Sequence, residues 1–121
     1  MRLALIGLAG AAGALSRYGI GQAIGSRSFP WGTLGINVVG AFVLGVVLGG
    51  PAVDRWSTTV TSMVAVGFLG AFTTFSTFAY ETTSMLRADR PAAAFGYVAL
   101  SLAVGLGASA LGYVVGRALV T

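Results

Sequence analysis

Four long stretches with almost no charged residues dominate the sequence, and only short polar or turn segments separate them. They cover approximately residues 3–25, 31–50, 57–86 and 92–116. A helix crosses the hydrocarbon core of a bilayer in about 20 residues. Of the 121 residues, 56% are hydrophobic and 8% are charged, which is a membrane-protein composition. The chain is therefore predicted to be an all-α membrane protein, with four transmembrane helices in one domain over residues 1–121.

The segments between these stretches are too short to form domains, so consecutive helices are predicted to be antiparallel neighbours. One alternative concerns the first stretch, because Arg2 and the apolar residues 3–15 resemble a signal peptide. The apolar character resumes after Arg17, however, and the stretch is as rich in glycine as the others. We therefore interpret it as a span.

The third stretch is about ten residues longer than a straight crossing requires. Its centre combines glycines with hydroxyl-bearing residues, in the run Gly67-Phe-Leu-Gly70-Ala-Phe-Thr73-Thr74-Phe75-Ser76-Thr77-Phe78. A membrane helix unwinds most easily in such a run, and unpaired backbone at membrane depth is tolerated only beside a cavity or an ion. The pattern predicts a break near residues 70–75, close to the midplane.

The flanks of the four stretches carry equal numbers of arginines on the two sides. Arg2, Arg55 and Arg117 fall on one side, and Arg27, Arg87 and Arg90 on the other. Since positive flanks set orientation, the balance favours a chain that inserts both ways, although subtler cues could still select one orientation. Two inverted copies would bring their helix breaks together, where backbone carbonyls could hold one small hard cation.

The types of charged residue present exclude several classes of function. The chain has no cysteine and no histidine, and its seven basic residues are all arginine. Thiol and imidazole metal sites and histidine acid–base chemistry are thereby excluded, and no catalytic triad can be assembled, so the chain is predicted not to be an enzyme. The arginines are scattered around apolar spans, which favours lipid headgroups over nucleic acid as partners.

Motifs along almost the whole chain resemble those of one family, the Fluc (CrcB) fluoride channels. They are Gly10-x-x-Gly13-Ala-Leu-Ser-Arg17-Tyr18, Gly32-Thr33-Leu34-Gly35-Ile36-Asn37-x-x-Gly40-Ala-Phe42-x-x-Gly45 and the run from Gly67 to Phe78. The resemblance implies a passive, fluoride-selective channel of the cell (inner) membrane that confers fluoride resistance. It further implies an antiparallel dual-topology homodimer with two pores and a central structural sodium ion.

The resemblance also implies roles for individual residues. The carbonyls of Gly70 and Thr73 would bind sodium, and the rings of Phe75 and Phe78 would line the pores. By spacing alone the two phenylalanines are ordinary helix packing. Their electropositive ring edges could nevertheless accommodate an anion.

A dehydrating pore must supply hydrogen-bond donors, and six residues other than the phenylalanines are candidates for the polar path. Asn37 would present its NH2 group to fluoride, although such an amide also serves as a bond between helices. Hydroxyls in membrane helices can instead bond to the preceding turn. The other candidates are Ser76, Thr77, Tyr97 and Ser101, with Thr74 beside them.

Two charged residues lie inside the spans. Arg17 either extends to a headgroup or, as the resemblance implies, concentrates anions at a vestibule. Glu81, one helical turn after Phe78, would repel an anion near the pore exit unless it is protonated, paired with an arginine or held against hydroxyls.

Two other functions are less compatible with the sequence. Small dual-topology, proton-coupled multidrug exporters depend on an acid in the first helix, where this chain has Arg17 instead. A structural membrane subunit without transport would explain the glycines but not the hydroxyl-rich and aromatic run after Gly70.

Overall fold

A computed structural model describes residues 1–121, apart from the side chain of Val53, as a chain of helices joined by short turns. The elements are α1 (Arg2–Ile24), α2 (Trp31–Gly49), α3 (Pro51–Asp54), α4 (Thr58–Thr61), a π-helix (Ser62–Leu69), α5 (Gly70–Phe72), α6 (Phe75–Arg87) and α7 (Pro91–Val120). In the described chain, four segments are long and apolar enough to cross a membrane: Arg2–Ile24, Trp31–Gly49, Thr58–Arg87 and Pro91–Val120. The prediction of an all-helical chain with four such helices is confirmed.

The helix ends follow local residue chemistry. α1 stops where Gly25 takes a φ of 75°, a left-handed conformation that favours glycine. α7 begins at Pro91, whose fixed φ suits a first helical turn. It continues to Val120, beyond the end near residue 116 expected from the sequence, because Gly116 packs against the backbone of Val46 instead of ending the helix.

The third membrane segment is composite. α4, the π-helix and α5 form its first half, and α6 forms its second half. Between them Thr73 and Thr74 are extended, which is inside the range 70–75 named from the sequence. The π-helix has no counterpart in the sequence-based interpretation.

α2 and α7 pack along two matching pairs of glycines. A Cβ at Gly45 or Gly49 would collide with backbone atoms of α7, and a Cβ at Gly112 or Gly116 would collide with backbone atoms of α2. Each pair is spaced by four residues, which is the small-residue spacing that lets membrane helices approach closely. This contact anchors the second and fourth segments to each other.

α1 packs in the same way against the π-helix and α5. Gly13 lies against the backbone of Phe68, and Gly67 lies against the carbonyl of Ile6 and the methyl group of Ala9. The first half of the broken segment is thus held by α1, whereas α6 packs mainly against α7.

Replacement of Gly112 by alanine tests the packing between α2 and α7. The added methyl group would meet the carbonyl of Phe42, so we expect a loss of about 1–3 kcal/mol in the free energy of unfolding, measured by titration with denaturing detergent. Gly107→Ala in the same helix is the matched control, because a Cβ there meets nothing within 4 Å. Equal stability of the two variants would contradict backbone-level packing at Gly112.

Candidate functional site

The interruption of the third membrane segment consists of two extended threonines. Thr73 has φ −85° and ψ 158°, and Thr74 has φ −149° and ψ 120°. Both residues lie in the β region, so the helical ladder ends with the bond from the Thr73 amide to the carbonyl of Leu69 at 3.1 Å. The amides and carbonyls around them must find other partners.

The side chain of Asn37 in α2 replaces part of the lost backbone ladder. Its Nδ2 donates to the carbonyl of Thr74 at 2.9 Å, and its Oδ1 accepts from the amide of Thr74 at 2.8 Å. The amide group therefore pairs with both backbone groups of a single residue, as a neighbouring strand would. Of the two interpretations of Asn37, the bond between helices is present, and one of its two N–H groups is committed to it.

Thr74 also starts the second half of the segment. Its Oγ1 accepts from the amide of Thr77 at 3.2 Å, which is the usual bond of a threonine N-cap. The same hydroxyl donates to Thr77 Oγ1 at 3.1 Å. Because Thr77 accepts in that contact, its own hydroxyl proton is left to point elsewhere.

Arg17 of α1 stabilises the other end of the break. Its Nε donates to the carbonyl of Ala71 at 3.1 Å, at the C-terminal end of the short helix α5. A cation there satisfies a carbonyl that has lost its helical partner and complements the helix dipole. The partly buried guanidinium is thus bound to the backbone beside the break.

Two further carbonyls lose their regular helical donors. In a continuous helix, Gly70 would accept from the amide of Thr74, and Thr73 would accept from the amide of Thr77. Those amides donate instead to Asn37 Oδ1 and to Thr74 Oγ1. Oxygen atoms available in this way are the ligands that a small hard cation prefers.

Thr74 lines two cavities. The vestibule cavity, of about 590 Å³, is lined by Arg17, Thr77 and Glu81 and by the turn around residues 25–30. The inner cavity, of about 360 Å³, is lined by Asn37, Gly70, Thr73, Phe75, Phe78 and Ser101. Sequence-predicted residues from α2, the break, α6 and α7 thus meet at one place.

Aromatic rings run from the inner cavity into the core. The centroids of Phe75 and Phe78 are 5.7 Å apart at 55°, and those of Phe78 and Tyr97 are 5.1 Å apart at 57°. Phe75 is 78% exposed in the single chain, whereas Phe78 is partly buried and packs against the core cluster that contains the fully buried Tyr97. The two phenylalanines therefore differ in surroundings, although they share one helix face.

The remaining predicted residues divide between cavity and surface. Glu81 Oε1 accepts from the hydroxyl of Tyr97 at 3.0 Å. Of the arrangements considered for Glu81 from the sequence, contact with a hydroxyl is therefore present. Ser76 is exposed, 3.4 Å from Thr74 Oγ1, and is not among the residues that line the two cavities.

Sequence reasoning missed two contributions at the break. It named Thr74 only as a candidate hydroxyl, whereas Thr74 joins Asn37, caps α6 and lines both cavities. The threonine just before a run of helix could have indicated the cap. It also gave no role to Gly40, where a Cβ would collide with the Thr73 side chain. Such a contact between elements leaves no local signal.

Comparison with known proteins shows which family the chain belongs to. The family model described as "CrcB-like protein, Camphor Resistance (CrcB)" matches residues 4–113. The fluoride-specific ion channel FluC 1 of Symbiobacterium thermophilum is 43% identical over 96% of this chain and 98% of its own length. A fluoride-specific ion channel FluC of Thermus thermophilus is 42% identical over 98% of each chain. FluC 2 of Clostridium acetobutylicum is 40% identical, over 93% of this chain and 92% of its own. The chain therefore belongs to the CrcB (Fluc) family of membrane proteins, which is the family that its sequence motifs indicated.

Proposed function

We propose that this chain forms a passive, fluoride-selective channel of the cell (inner) membrane, through which fluoride leaves the cytoplasm down its gradient. The observation that carries the proposal is the extended backbone at Thr73 and Thr74, with two cavities lined by Thr74. Irregular backbone at membrane depth is expected only where it lines a pathway or binds an ion. Relatives about 40% identical that are named fluoride-specific ion channels support the choice of ion.

The vestibule cavity serves as the mouth of the route. Arg17 lines it and holds a fixed positive charge beside the break. A charge in a cavity with low-dielectric walls raises the local concentration of anions. Because its Nε is bonded to Ala71, the same side chain also fixes the backbone that the anion passes.

Hydrogen-bond donors along the route replace the water that fluoride loses. Thr77 can donate its hydroxyl proton into the vestibule cavity, and Ser101 lines the inner cavity. Asn37 has its second N–H beyond the one given to Thr74. Fluoride is small and strongly hydrated, so a closely spaced donor set favours it over larger halides, which need fewer donors and more room.

Phe75 and Phe78 supply the apolar wall of the inner cavity. Ring edges carry positive electrostatic potential, so an anion in contact with an edge is stabilised where a ring face would repel it. The tilt of 55° between the two rings presents an edge and a face in different directions. The rings thereby exclude water without excluding the ion.

Tyr97 acts through Glu81 in this mechanism. The buried tyrosine hydroxyl donates to the carboxyl group of Glu81, which lines the vestibule cavity. This bond directs the carboxyl group toward α7 and lessens its repulsion of a passing anion. Tyr97 is therefore a positioning residue, and the exposed Ser76 has at most a peripheral part.

A structural sodium ion fits the carbonyls of Gly70 and Thr73. Both have lost their helical donors, and Gly70 is exposed on the surface of the single chain. Two copies related by a two-fold axis at this point would supply four main-chain oxygens without any acidic side chain. The ion would hold the two breaks together.

The surface of the single chain also supports an inverted homodimer. Phe75 and Gly70 are exposed beside the break, halfway along a membrane segment. A second copy would cover them, and the equal division of flanking arginines permits insertion in both orientations. Each dimer would then contain two antiparallel routes.

Fluoride efflux from vesicles containing this protein alone tests the channel. We expect fluoride release with chloride retained, and a decrease of at least about tenfold in rate for Phe75→Ile and for Asn37→Asp, since each removes an interaction along the route. Phe95→Ile in α7 is the matched control, because Phe95 is exposed and lines neither cavity. Unchanged rates in both pore variants, or release of chloride with fluoride, would exclude this route.

Replacement of sodium by a bulky organic cation tests the ion site. We expect sodium to raise the melting temperature of the protein, since a ligand at 100 times its Kd stabilises by about 3 kcal/mol. Gly40→Ala should abolish the increase by displacing Thr73, whereas Gly35→Ala, with no neighbour within 4 Å, should retain it. Equal melting temperatures of the wild-type protein in sodium and in the organic cation would contradict the proposed sodium site.

Labelling of a single introduced cysteine tests dual topology, because the chain has no cysteine of its own. For Ser26→Cys we expect an impermeant maleimide to label about half of the molecules from each side of the membrane. Adding Arg27→Gln and Arg87→Gln to that variant removes two arginines from one side of the membrane. Most molecules should then insert in one orientation, with the side that keeps its three arginines in the cytoplasm. If the Ser26→Cys variant with all of its arginines is labelled from one side only, the result would argue against an inverted dimer.

A further inference from the structure

The vestibule cavity is lined by more positive charge than the binding of a single halide ion requires. Three arginines line it, Arg17, Arg27 and Arg90, together with one carboxyl group, that of Glu81. The carboxyl group accepts from the Tyr97 hydroxyl, on the α7 side. The charge excess lies toward the turn of residues 25–30, outside the apolar spans.

Each of the three guanidinium groups is tied to main chain by one N–H. Arg90 Nη1 donates to the carbonyl of Ser28 at 2.6 Å, and Arg27 Nε donates to the carbonyl of Ile24 at 3.3 Å. Arg17 Nε donates to Ala71, as described above. A guanidinium has further N–H donors in a planar fork, so each side chain is positioned and still has donors to offer.

The first turn of α2 adds uncharged donors to the same cavity. Pro30, at the N-cap, makes no side-chain cap bond, and Trp31, Gly32 and Thr33 all line the cavity. The Trp31 amide already donates to the carbonyl of Phe29 at 2.8 Å, so the amides to consider are those of Gly32 and Thr33. The amides of a first helical turn have no partner within their helix, and the helix dipole there is positive. These amides complement the arginines but would not define a site without them.

We propose that the vestibule cavity binds a phosphate group through Arg27 and Arg90, with Arg17 deeper in the cavity. Planar guanidinium forks match the oxygens of a tetrahedral phosphate and bind them in pairs, which a monatomic halide cannot exploit. The volume of about 590 Å³ accommodates the group with water around it. The phosphate comes either from inorganic phosphate in solution or from the headgroup of a phospholipid beside the turn. The binding site does not depend on fluoride transport.

Trp31 provides a direct probe, because it lines the cavity and the chain has only one other tryptophan, Trp56. In a Trp56→Phe background, purified in a phosphate-free maltoside detergent, Trp31 fluorescence would be followed during titration with inorganic phosphate. A second titration would use short-chain phosphatidylglycerol in the same detergent. A response to inorganic phosphate identifies the dissolved source, and a response to phosphatidylglycerol alone identifies the headgroup.

We expect a saturable response to at least one probe, with Kd raised about tenfold in Arg27→Gln through loss of a charge-assisted contact. Arg90→Lys should also weaken binding, because it keeps the charge but loses the fork. Arg55→Gln is the matched control, because Arg55 is an exposed arginine outside this cavity. The Kd of this variant for the probe should be unchanged. Melting curves would show that the variants are folded. The proposal is overturned if neither probe gives a response that depends on Arg27 or Arg90.

Discussion

Backbone that cannot hydrogen-bond to its own helix, in the middle of a membrane segment, is the constraint on which the rest of this structure depends. Each unsatisfied amide or carbonyl costs several kcal/mol in hydrocarbon. The extended residues Thr73 and Thr74 would be too unstable there without partners from other helices. Asn37 from α2 and Arg17 from α1 supply those partners. The first three membrane segments are thereby joined at one point.

The glycines make these bonds geometrically possible. The short side chain of Asn37 bonds directly to Thr74, so α2 must lie close to the break. Gly40 allows this approach, because a Cβ there would collide with the side chain of Thr73. Gly13 likewise lets α1 approach the backbone of Phe68. Close packing and polar bonding therefore depend on each other. Small residues allow a short distance between helices, and a few polar side chains form hydrogen bonds across it.

The break also borders two chemically different spaces. One is lined by arginines and hydroxyls, and the other is lined by phenylalanine rings with the Asn37 amide and Ser101. In the proposed mechanism, an ion moving between them would pass from a cavity lined by arginines to a wall of ring edges and single donors. Thr74 lies at the junction, and its side chain is already committed to capping α6. Rigidity at this junction is useful, because selectivity for a small ion requires donors with fixed spacing.

Features that depend on local composition could be predicted from the sequence. The four membrane helices follow from the length of the apolar stretches, and the end of α1 follows from Gly25. The position of the break follows from hydroxyl-bearing residues next to Gly70. In these cases the physical cause lies within a few residues of its effect, so a local pattern is sufficient.

The contacts between distant residues depend instead on how the helices pack against each other. Asn37 could have faced an ion or another helix, and it is packing that places it against Thr74, 37 positions away. Gly116 resembled a helix end but lies inside α7, because its missing Cβ serves the contact with α2. The bond between Tyr97 and Glu81 and the π-helix before the break were likewise not specified locally. A residue type limits which bonds are possible, but the approach of whole helices determines which of them form.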